Sequence, residues 1–327
     1  MKQSRKIVPR LRLLLVVLLA QFSLLAIAAP QGWSPLLEPA GLASMLASSS
    51  ESAATVRIVQ VTGNYQEGHI PGAVFSAYGQ WRGPQENPGA LPEISHLVDL
   101  VQELGITAQT PVVVVHQGSS AADMGAATRV YWTLKSLGVV DLAVLNGGFN
   151  AWREAGLPVS TAAETVAASS FVPRWQDTWQ ISTAEIETLV STGEPHQARL
   201  IDARTEGFFR GEQSVVARAG TIKGAGNVSY ESWFEGNRMR STPLLASTLI
   251  NQELPTAPLT VSFCNTGHLA SINWFVMSEL TGVENTRLYA ESMGEWSQAN
   301  RPMDNQPSRM SIYWDKTMTW LDSLFES

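Results

Sequence analysis

Short apolar runs alternate with amphipathic segments along most of the chain. In the second half, residues 259–263 form a short apolar run typical of a buried strand, and apolar residues recur at helical spacing over 268–280. The first half repeats this order, because the wholly apolar residues 112–115 predict a strand buried on both faces and 121–137 predict a helix. Further strands are predicted at 57–61, 142–145, 199–203 and 286–289. This alternation predicts an α/β fold, with a parallel sheet flanked by helices in each half.

The two halves also resemble each other in sequence, at an offset of about 145 residues. The repeated features, first half against second, are 57–62 with 199–204, 68–73 with 220–225, His116 with Cys264, and Trp152 with Trp296. We therefore predict two related domains at 33–160 and 178–303, joined by a linker at 161–177 that is rich in Ala, Ser and Thr near its start. Apolar spacing near the C-terminus predicts that the tail, 304–327, is helical.

Residues 1–29 have the pattern of a secretory signal peptide. Basic residues precede an apolar run that is too short and too interrupted for a membrane span, and the small residues at 26–28 have the spacing that a signal peptidase recognises. This predicts export to the periplasm and no stable membrane insertion after cleavage. Retention of the segment as an anchor stays open.

Composition narrows the function classes. A hydrophobic content of 44% indicates a folded rather than a disordered chain, and a net charge of −7 argues against a nucleic-acid partner. The single cysteine, Cys264, excludes an internal disulfide framework and a Cys-rich zinc site. We expect neither a metal nor an organic cofactor.

Cys264 lies where α/β proteins place their sites. It directly follows the predicted strand 259–263 and precedes the helix that begins at His268, and parallel sheets carry their sites at the carboxyl ends of strands. Loop amides and the helix N-terminus favour a thiolate there, and Gly267 permits close approach of the backbone. An unpaired cysteine is either a buried passenger or a thiol kept for chemistry, and this context favours chemistry.

Five motifs occur in order along the chain. They are Gly68-His69-Ile70-Pro71-Gly72-Ala73, the Gly-Gly-Phe-Asn-Ala-Trp stretch within 145–152, Asp202-Ala203-Arg204, Cys264-Asn265-Thr266-Gly267-His268-Leu269-Ala270, and Ser292-Met293-Gly294-Glu295-Trp296. Together they resemble the tandem-domain rhodanese family of thiosulfate and 3-mercaptopyruvate sulfurtransferases, over roughly residues 50–303. The resemblance implies two rhodanese-like domains, of which the N-terminal one, without the cysteine, is inactive and the C-terminal one is catalytic.

The resemblance also implies a reaction. The Cys264 thiolate takes the sulfane sulfur of a small anionic donor, of the thiosulfate or 3-mercaptopyruvate type, and passes it from a persulfide to a thiophilic acceptor such as cyanide or a thiol. Amides of the loop residues 265–270 stabilise the anionic sulfur. A protein thiol is a further candidate partner. The alternative is a persulfide carrier without turnover, or a partner-binding module.

Three residues are candidates for supporting roles. Arg204 could hold an anionic donor, or could equally form an ion pair with Asp202 or Glu206. Asp202 is expected to be structural, fixing the loop or Arg204. His268 could donate to the donor, take a proton from Cys264, or be an exposed residue of the first helical turn. For His116, which stands in the place of the cysteine in the first half, we favour a structural role.

The loop departs from the family patterns that distinguish donors. Thiosulfate-using members often carry a basic residue after the cysteine, where this chain has Asn265 and Thr266. Mercaptopyruvate-using members have a second arginine after Asp-x-Arg, where this chain has Gln213, with Arg210 nearby. The sequence therefore matches neither donor preference cleanly, and the choice between the two types of donor stays open. A Cys-based phosphatase is excluded because Ala270 stands where its phosphate-binding arginine belongs.

Overall fold

The computed structural model describes residues 29–48, 56–192, 197–252 and 254–308. Residues 1–28 of the predicted signal peptide and 309–327 of the predicted tail lie outside this described part. Within it, none of the helices combines the length and the apolar character needed to cross a membrane.

The first half is built on a five-stranded sheet. Its elements in chain order are β1 (Leu36–Leu37), α1 (Pro39–Ser48), β2 (Arg57–Gln60), β3 (Val74–Phe75), α2 (Ile94–Glu103), β4 (Val112–Val115), α3 (Met124–Ser136), β5 (Leu142–Leu145) and α4 (Gly148–Glu154). The strand order is β1-β5-β4-β2-β3 and every pair is parallel. All four valines of the central β4 are buried, as expected for a strand covered on both faces.

The second half is built on a four-stranded sheet. Its elements are α5 (Thr183–Thr192), β6 (Arg199–Asp202), α6 (Glu206–Phe209), β7 (Thr221–Ile222), β8 (Gly226–Asn227), β9 (Phe234–Glu235), β10 (Arg238–Met239), α7 (Thr242–Asn251), β11 (Thr260–Phe263), α8 (His268–Trp274), β12 (Thr286–Leu288), α9 (Ser292–Trp296) and β13 (Met303–Asp304). The order is β12-β11-β6-β8, again all parallel, and α8 continues into a π-helical turn. Two small antiparallel pairs, β9 with β10 and β7 with β13, lie beside it.

Equivalent residues of the repeat make the same contacts. The indole N–H of Trp152 donates to the Pro158 carbonyl at 2.7 Å, and that of Trp296 donates to the Pro302 carbonyl at 3.1 Å. Both tryptophans are buried. The two parallel α/β sheets predicted from the sequence are therefore confirmed, and the duplication extends to individual side chains.

Some predicted boundaries shift. Helix α3 begins at Met124 rather than at 121, because the amides of Asp123 and Met124 close turns onto residues 120 and 121. Asp304, the first residue of the predicted helical tail, lies instead in β13, where it pairs with Thr221 and its carboxylate accepts the amide of Gly224 at 2.7 Å. The prediction of a helix from 304 is wrong at this point; the apolar segment 312–325 lies outside the described residues.

The two halves are joined by α3 and α8, which are equivalent helices of the repeat. The hydroxyls of Thr128 and Ser271 share a hydrogen bond of 2.7 Å across this buried contact. One apolar cluster continues from the first half into the second, with Trp132 and Trp274 among its fully buried members. Gly125 permits the close approach, because a Cβ there would lie 2.8 Å from the carbonyl oxygen of His268.

The glycine at this helix contact gives a stability prediction. We expect Gly125→Ala to lower the free energy of unfolding by about 1–3 kcal/mol, because its methyl group overpacks the contact despite the better helix propensity of alanine. Gly41→Ala in α1 is the matched control, since a Cβ there meets nothing within 4 Å. It is expected to be neutral or stabilising in the same urea titration. Equal behaviour of the two variants would show that α3 and α8 are not in close contact.

Candidate active site

Cys264 begins a loop between β11 and α8. Its thiol is free and the residue is 1% exposed. The loop turns back at Gly267, whose φ of 70° is in the left-handed region that glycine adopts without strain, and α8 begins at the next residue. The predicted strand–loop–helix setting of the cysteine is therefore present.

The backbone of the loop is held by the hydroxyl of Ser292, at the start of α9. The Ser292 hydroxyl accepts the amide N–H groups of Cys264 and Gly267, both at 3.1 Å, and donates to the carbonyl of Tyr289 at 2.7 Å. Ser292 has a φ of 56°, an unusual value for a residue other than glycine. This strained backbone conformation places the hydroxyl within hydrogen-bond distance of the amides of both Cys264 and Gly267.

Other amides near the cysteine remain available. Within the described residues, five N–H groups of the loop and the first turn of α8 donate to no acceptor: those of Asn265, Thr266, His268, Leu269 and Ala270. Amides of this kind can stabilise a negative charge on the sulfur or on an atom bound to it. Whether they do so for a persulfide stays a prediction.

Arg204 and Asp202 form a buried ion pair beside the loop. Nη2 of Arg204 is 2.6 Å from Oδ2 of Asp202 and also donates to the carbonyl of Gly220 at 2.7 Å. Nη1 of Arg204 donates to the side-chain oxygen of Asn265 at 3.2 Å. Asp202 thus neutralises the arginine, which in turn holds a side chain of the loop. Arg204 therefore forms the predicted ion pair with Asp202, and its role in holding an anionic donor stays a prediction.

His268 is held by residues of the first half. Its Nε2 lies 2.9 Å from the carbonyl oxygen of Ala122, so Nε2 carries the hydrogen, and Nδ1 accepts from the Tyr78 hydroxyl at 3.0 Å. Burial, together with the positive charge of Arg82, lowers the pKa of His268 to about 4. The side chain is therefore neutral at pH 7. It is not the exposed first-turn residue that was one sequence alternative.

Two arginines of the first half reach the cysteine loop and were not predicted. Arg82 donates through Nη2 to the carbonyl of Thr266 at 2.9 Å and also donates to the Tyr78 hydroxyl. Arg129, in α3, is fully buried, and a Cβ at Gly267 would lie 2.3 Å from its Nη1. Arg129 could have been singled out from the sequence, because it is a charged residue within the predicted apolar helix 121–137. No sequence motif around Arg82 indicates that this residue belongs to a site.

In the first half, the carboxylate of Asp123 accepts hydrogen bonds from the equivalent loop. Oδ2 of Asp123 accepts the amides of Gly118 at 2.7 Å and Ser119 at 3.2 Å, and lies 3.5 Å from Nδ1 of the buried His116. Burial opposes ionisation of Asp123, but the nearby His116 and hydrogen bonds from Thr62 and Ser119 outweigh it and hold the pKa of Asp123 well below the usual range. Two loop amides are thus already occupied by an internal anion.

Comparison with known proteins agrees with this architecture. A model of the rhodanese-like domain matches residues 48–155. A putative thiosulfate sulfurtransferase of Synechococcus elongatus is 31% identical over 260 residues, covering 75% of this chain and 78% of the relative. A probable 3-mercaptopyruvate sulfurtransferase of Pseudomonas aeruginosa is 30% identical over 241 residues, covering 71% and 82%.

Solved structures share the fold. The crystal structure of a 3-mercaptopyruvate sulfotransferase from Escherichia coli matches with a TM-score of 0.67 at 21% identity, covering 79% of this chain and 98% of that one. An anaerobic ergothioneine biosynthesis enzyme of Chlorobium limicola matches with a TM-score of 0.72 at 21% identity, covering 84% and 71%. The fold, with a thiol at the carboxyl end of a central parallel strand, is that of a two-domain rhodanese-like protein. The chain belongs to the rhodanese family of sulfurtransferases.

Loss of the hydroxyl under the loop gives the next prediction. Ser292→Ala leaves the buried amides of Cys264 and Gly267 without their acceptor, and we expect a loss of about 2 kcal/mol in the free energy of unfolding. Ser247→Ala, which removes an exposed hydroxyl in α7, is the control and is expected to unfold like the wild type. An unchanged unfolding midpoint for Ser292→Ala would contradict the structural role assigned to this hydroxyl.

The lowered pKa of His268 predicts a pH dependence of stability. Between pH 6.5 and about 4, the unfolded chain takes up a proton at this residue and the folded chain does not, so acidification through this window favours unfolding. We expect His268→Gln to lose less stability than the wild type between pH 7 and pH 5, measured by urea unfolding. His96→Gln, at an exposed histidine, should keep the slope of the wild type. A slope for His268→Gln equal to that of the wild type would contradict the neutral assignment.

Proposed function

We propose that this chain transfers a sulfane sulfur from a small anionic donor, through a persulfide on Cys264, to a thiophilic acceptor. The observation that carries the proposal is the single free thiol at the start of a loop with unused amide N–H groups. Relatives named as thiosulfate and as 3-mercaptopyruvate sulfurtransferases support it.

The proposed chemistry has two steps at one sulfur atom. The Cys264 thiolate attacks the outer sulfur of thiosulfate, a new S–S bond forms, and sulfite leaves with the electron pair of the old one. Cyanide then attacks the outer sulfur of the persulfide, thiocyanate leaves, and the thiolate is restored. A thiol acceptor would take the sulfur in the same way. Loop amides offset the negative charge on the terminal sulfur between the two steps.

The choice of donor is not decided by a charged residue within the loop. Asn265 and Thr266 are uncharged, and Arg210, near the place of the second family arginine, is exposed and paired with Glu206. We therefore propose a donor of the thiosulfate or 3-mercaptopyruvate type and leave the choice to the assay. A protein thiol is retained as a further acceptor.

We also propose that the protein works in the periplasm after removal of residues 1–29. The basic residues and short apolar run of that segment support this. Fractionation of cells that produce the full chain, with N-terminal sequencing of the product, tests it. A product in the cytoplasm that keeps its first residues would contradict the proposal.

Thiocyanate formation from cyanide tests the activity directly. With thiosulfate and 3-mercaptopyruvate compared as donors, we expect repeated turnover by the wild type and none above background by Cys264→Ser. The control Ser262→Ala also alters a buried side chain, but one on β11 whose hydroxyl donates to the Ala270 carbonyl. We expect it to keep measurable turnover.

The outcomes separate the candidate functions. Turnover by Cys264→Ser at the wild-type rate would contradict the proposal. Wild-type protein that acquires sulfur once but does not turn over would favour the alternative, a persulfide carrier. Wild-type protein that neither acquires sulfur nor turns over would favour a partner-binding module.

A further inference from the structure

Arg129 is a buried cation without a counter-ion. Its side chain is fully buried, and in the part of the chain that the structure describes it makes no ion pair. One contact is polar: Nη2 donates to the carbonyl of Gly89 at 2.7 Å, while the guanidinium lies 4.8 Å from the ring centroid of Trp132. Both Nε and Nη1 lack a hydrogen-bond partner. Buried N–H groups of a charged side chain are rarely left in this state.

The unpaired end of Arg129 lies at the cysteine loop. A Cβ at Gly267 would be 2.3 Å from Nη1, so the guanidinium packs against the loop backbone three residues after Cys264. Negative charges on Tyr78, Glu291 and Cys264 would each favour the protonated form of Arg129. Burial dominates and lowers the pKa of Arg129 to about 10, which still leaves the side chain charged at neutral pH.

A second first-half arginine adds to this positive charge. The acceptors of Arg82 in the described residues are uncharged: the carbonyls of Pro88 and Thr266 and the hydroxyl of Tyr78. Burial raises the pKa of Glu291, the acidic residue beside Ser292, which weakens its ability to balance these charges. The loop therefore faces two arginines that no carboxylate pairs with among the described residues.

Arg204 shows how this chain neutralises a buried arginine that has a structural role. It is as buried as Arg129, but its guanidinium is paired with the carboxylate of Asp202 and each of its nitrogens has a protein partner. Among the described residues, Arg129 has one such contact, the hydrogen bond from Nη2 to the carbonyl of Gly89. An anion from outside the chain would complete its hydrogen bonds and balance its charge.

On these grounds, and resting on the proposed function, we propose that Arg129, assisted by Arg82, recognises the oxyanion end of the sulfur donor. The first half would then supply the charge that selects the donor, and the second half the sulfur that reacts with it. A sulfonate and a carboxylate present the same kind of oxygen acceptor to Arg129. This role falls to the half without the cysteine, whereas Arg204 positions Asn265.

Anion binding without turnover tests this assignment. Cys264→Ser protein is titrated with thiosulfate by calorimetry, alone and combined with Arg129→Gln. We expect the added substitution to weaken binding about 10- to 100-fold, as for the loss of a hydrogen bond to a charged group. Lys135→Gln is the matched control, because it removes another cation of α3 that also contacts the second half, through Glu279. The control should bind like its parent.

A conservative variant covers the case in which Arg129→Gln does not fold. Arg129→Lys keeps the charge but loses the planar set of donors, and its folding is checked by thermal unfolding. We expect weaker binding than in the parent, but less weakening than in a folded Arg129→Gln. Equal affinity in all Arg129 variants would overturn the inference, as would loss of affinity in Lys135→Gln of the same size. Absence of thiosulfate binding by the parent would also overturn it.

Turnover measurements separate this inference from the proposed function. If wild-type protein forms no thiocyanate but Arg129 still governs thiosulfate binding, the proposed turnover fails and the anion site stands. If Arg129→Gln turns over with an unchanged KM for the donor, the anion site fails and the sulfur transfer stands. With both correct, we expect the KM for the donor to rise about tenfold or more, while the KM for cyanide changes little.

Discussion

The close packing of α3 against α8 is the constraint on which the site depends. These helices are equivalent in the repeat, and their contact is tight enough that Gly125 has no room for a side chain beside His268. α8 begins at the end of the cysteine loop, and α3 carries Arg129. Holding the two helices together therefore brings Arg129 of one half against the Cys264 loop of the other. It also explains why His268 is engaged by Ala122 and Tyr78 of the first half rather than by solvent.

The two equivalent loops of the repeat differ in whether an acidic side chain accepts hydrogen bonds from their backbone amides. In the first half, the carboxylate of Asp123 lies inside the loop and accepts the amides of Gly118 and Ser119. In the second half, no acidic side chain of the described residues takes that place; the amide of Gly267 donates to the Ser292 hydroxyl, and those of Asn265, Thr266 and His268 donate to no acceptor there. An internal anion occupies the first loop, whereas the second leaves amides free for the negative charge that the proposed persulfide would carry. The first half instead brings helix α3 and two arginines, Arg82 and Arg129, against the second loop.

Much of this architecture could be predicted from the sequence, because it depends on local patterns. The strand–helix alternation, the repeat and the place of Cys264 follow from periodicity and from chain order, and short strands such as β1 and β3 were missed because two residues carry no periodic signal. Arg204 was predicted as the charged residue because it belongs to the Asp202-Ala203-Arg204 motif, which the family resemblance places beside the cysteine loop. Arg129 and Arg82 come from the other half, and only the packing of the halves brings them to the loop. Ser292 was within a predicted motif, but its role depends on a backbone φ of 56° that the sequence did not indicate.

The central claim is that Cys264 carries sulfur between donor and acceptor. The most direct measurement is the intact mass of the wild-type protein after incubation with thiosulfate, followed by peptide mapping and then by addition of cyanide. Because the chain has one cysteine, the added mass has one expected position. The account predicts a gain of one sulfur atom on the peptide that contains Cys264, and its loss as thiocyanate when cyanide is added. No gain of sulfur on folded protein with a free thiol, or sulfur that stays bound in the presence of cyanide, would contradict it.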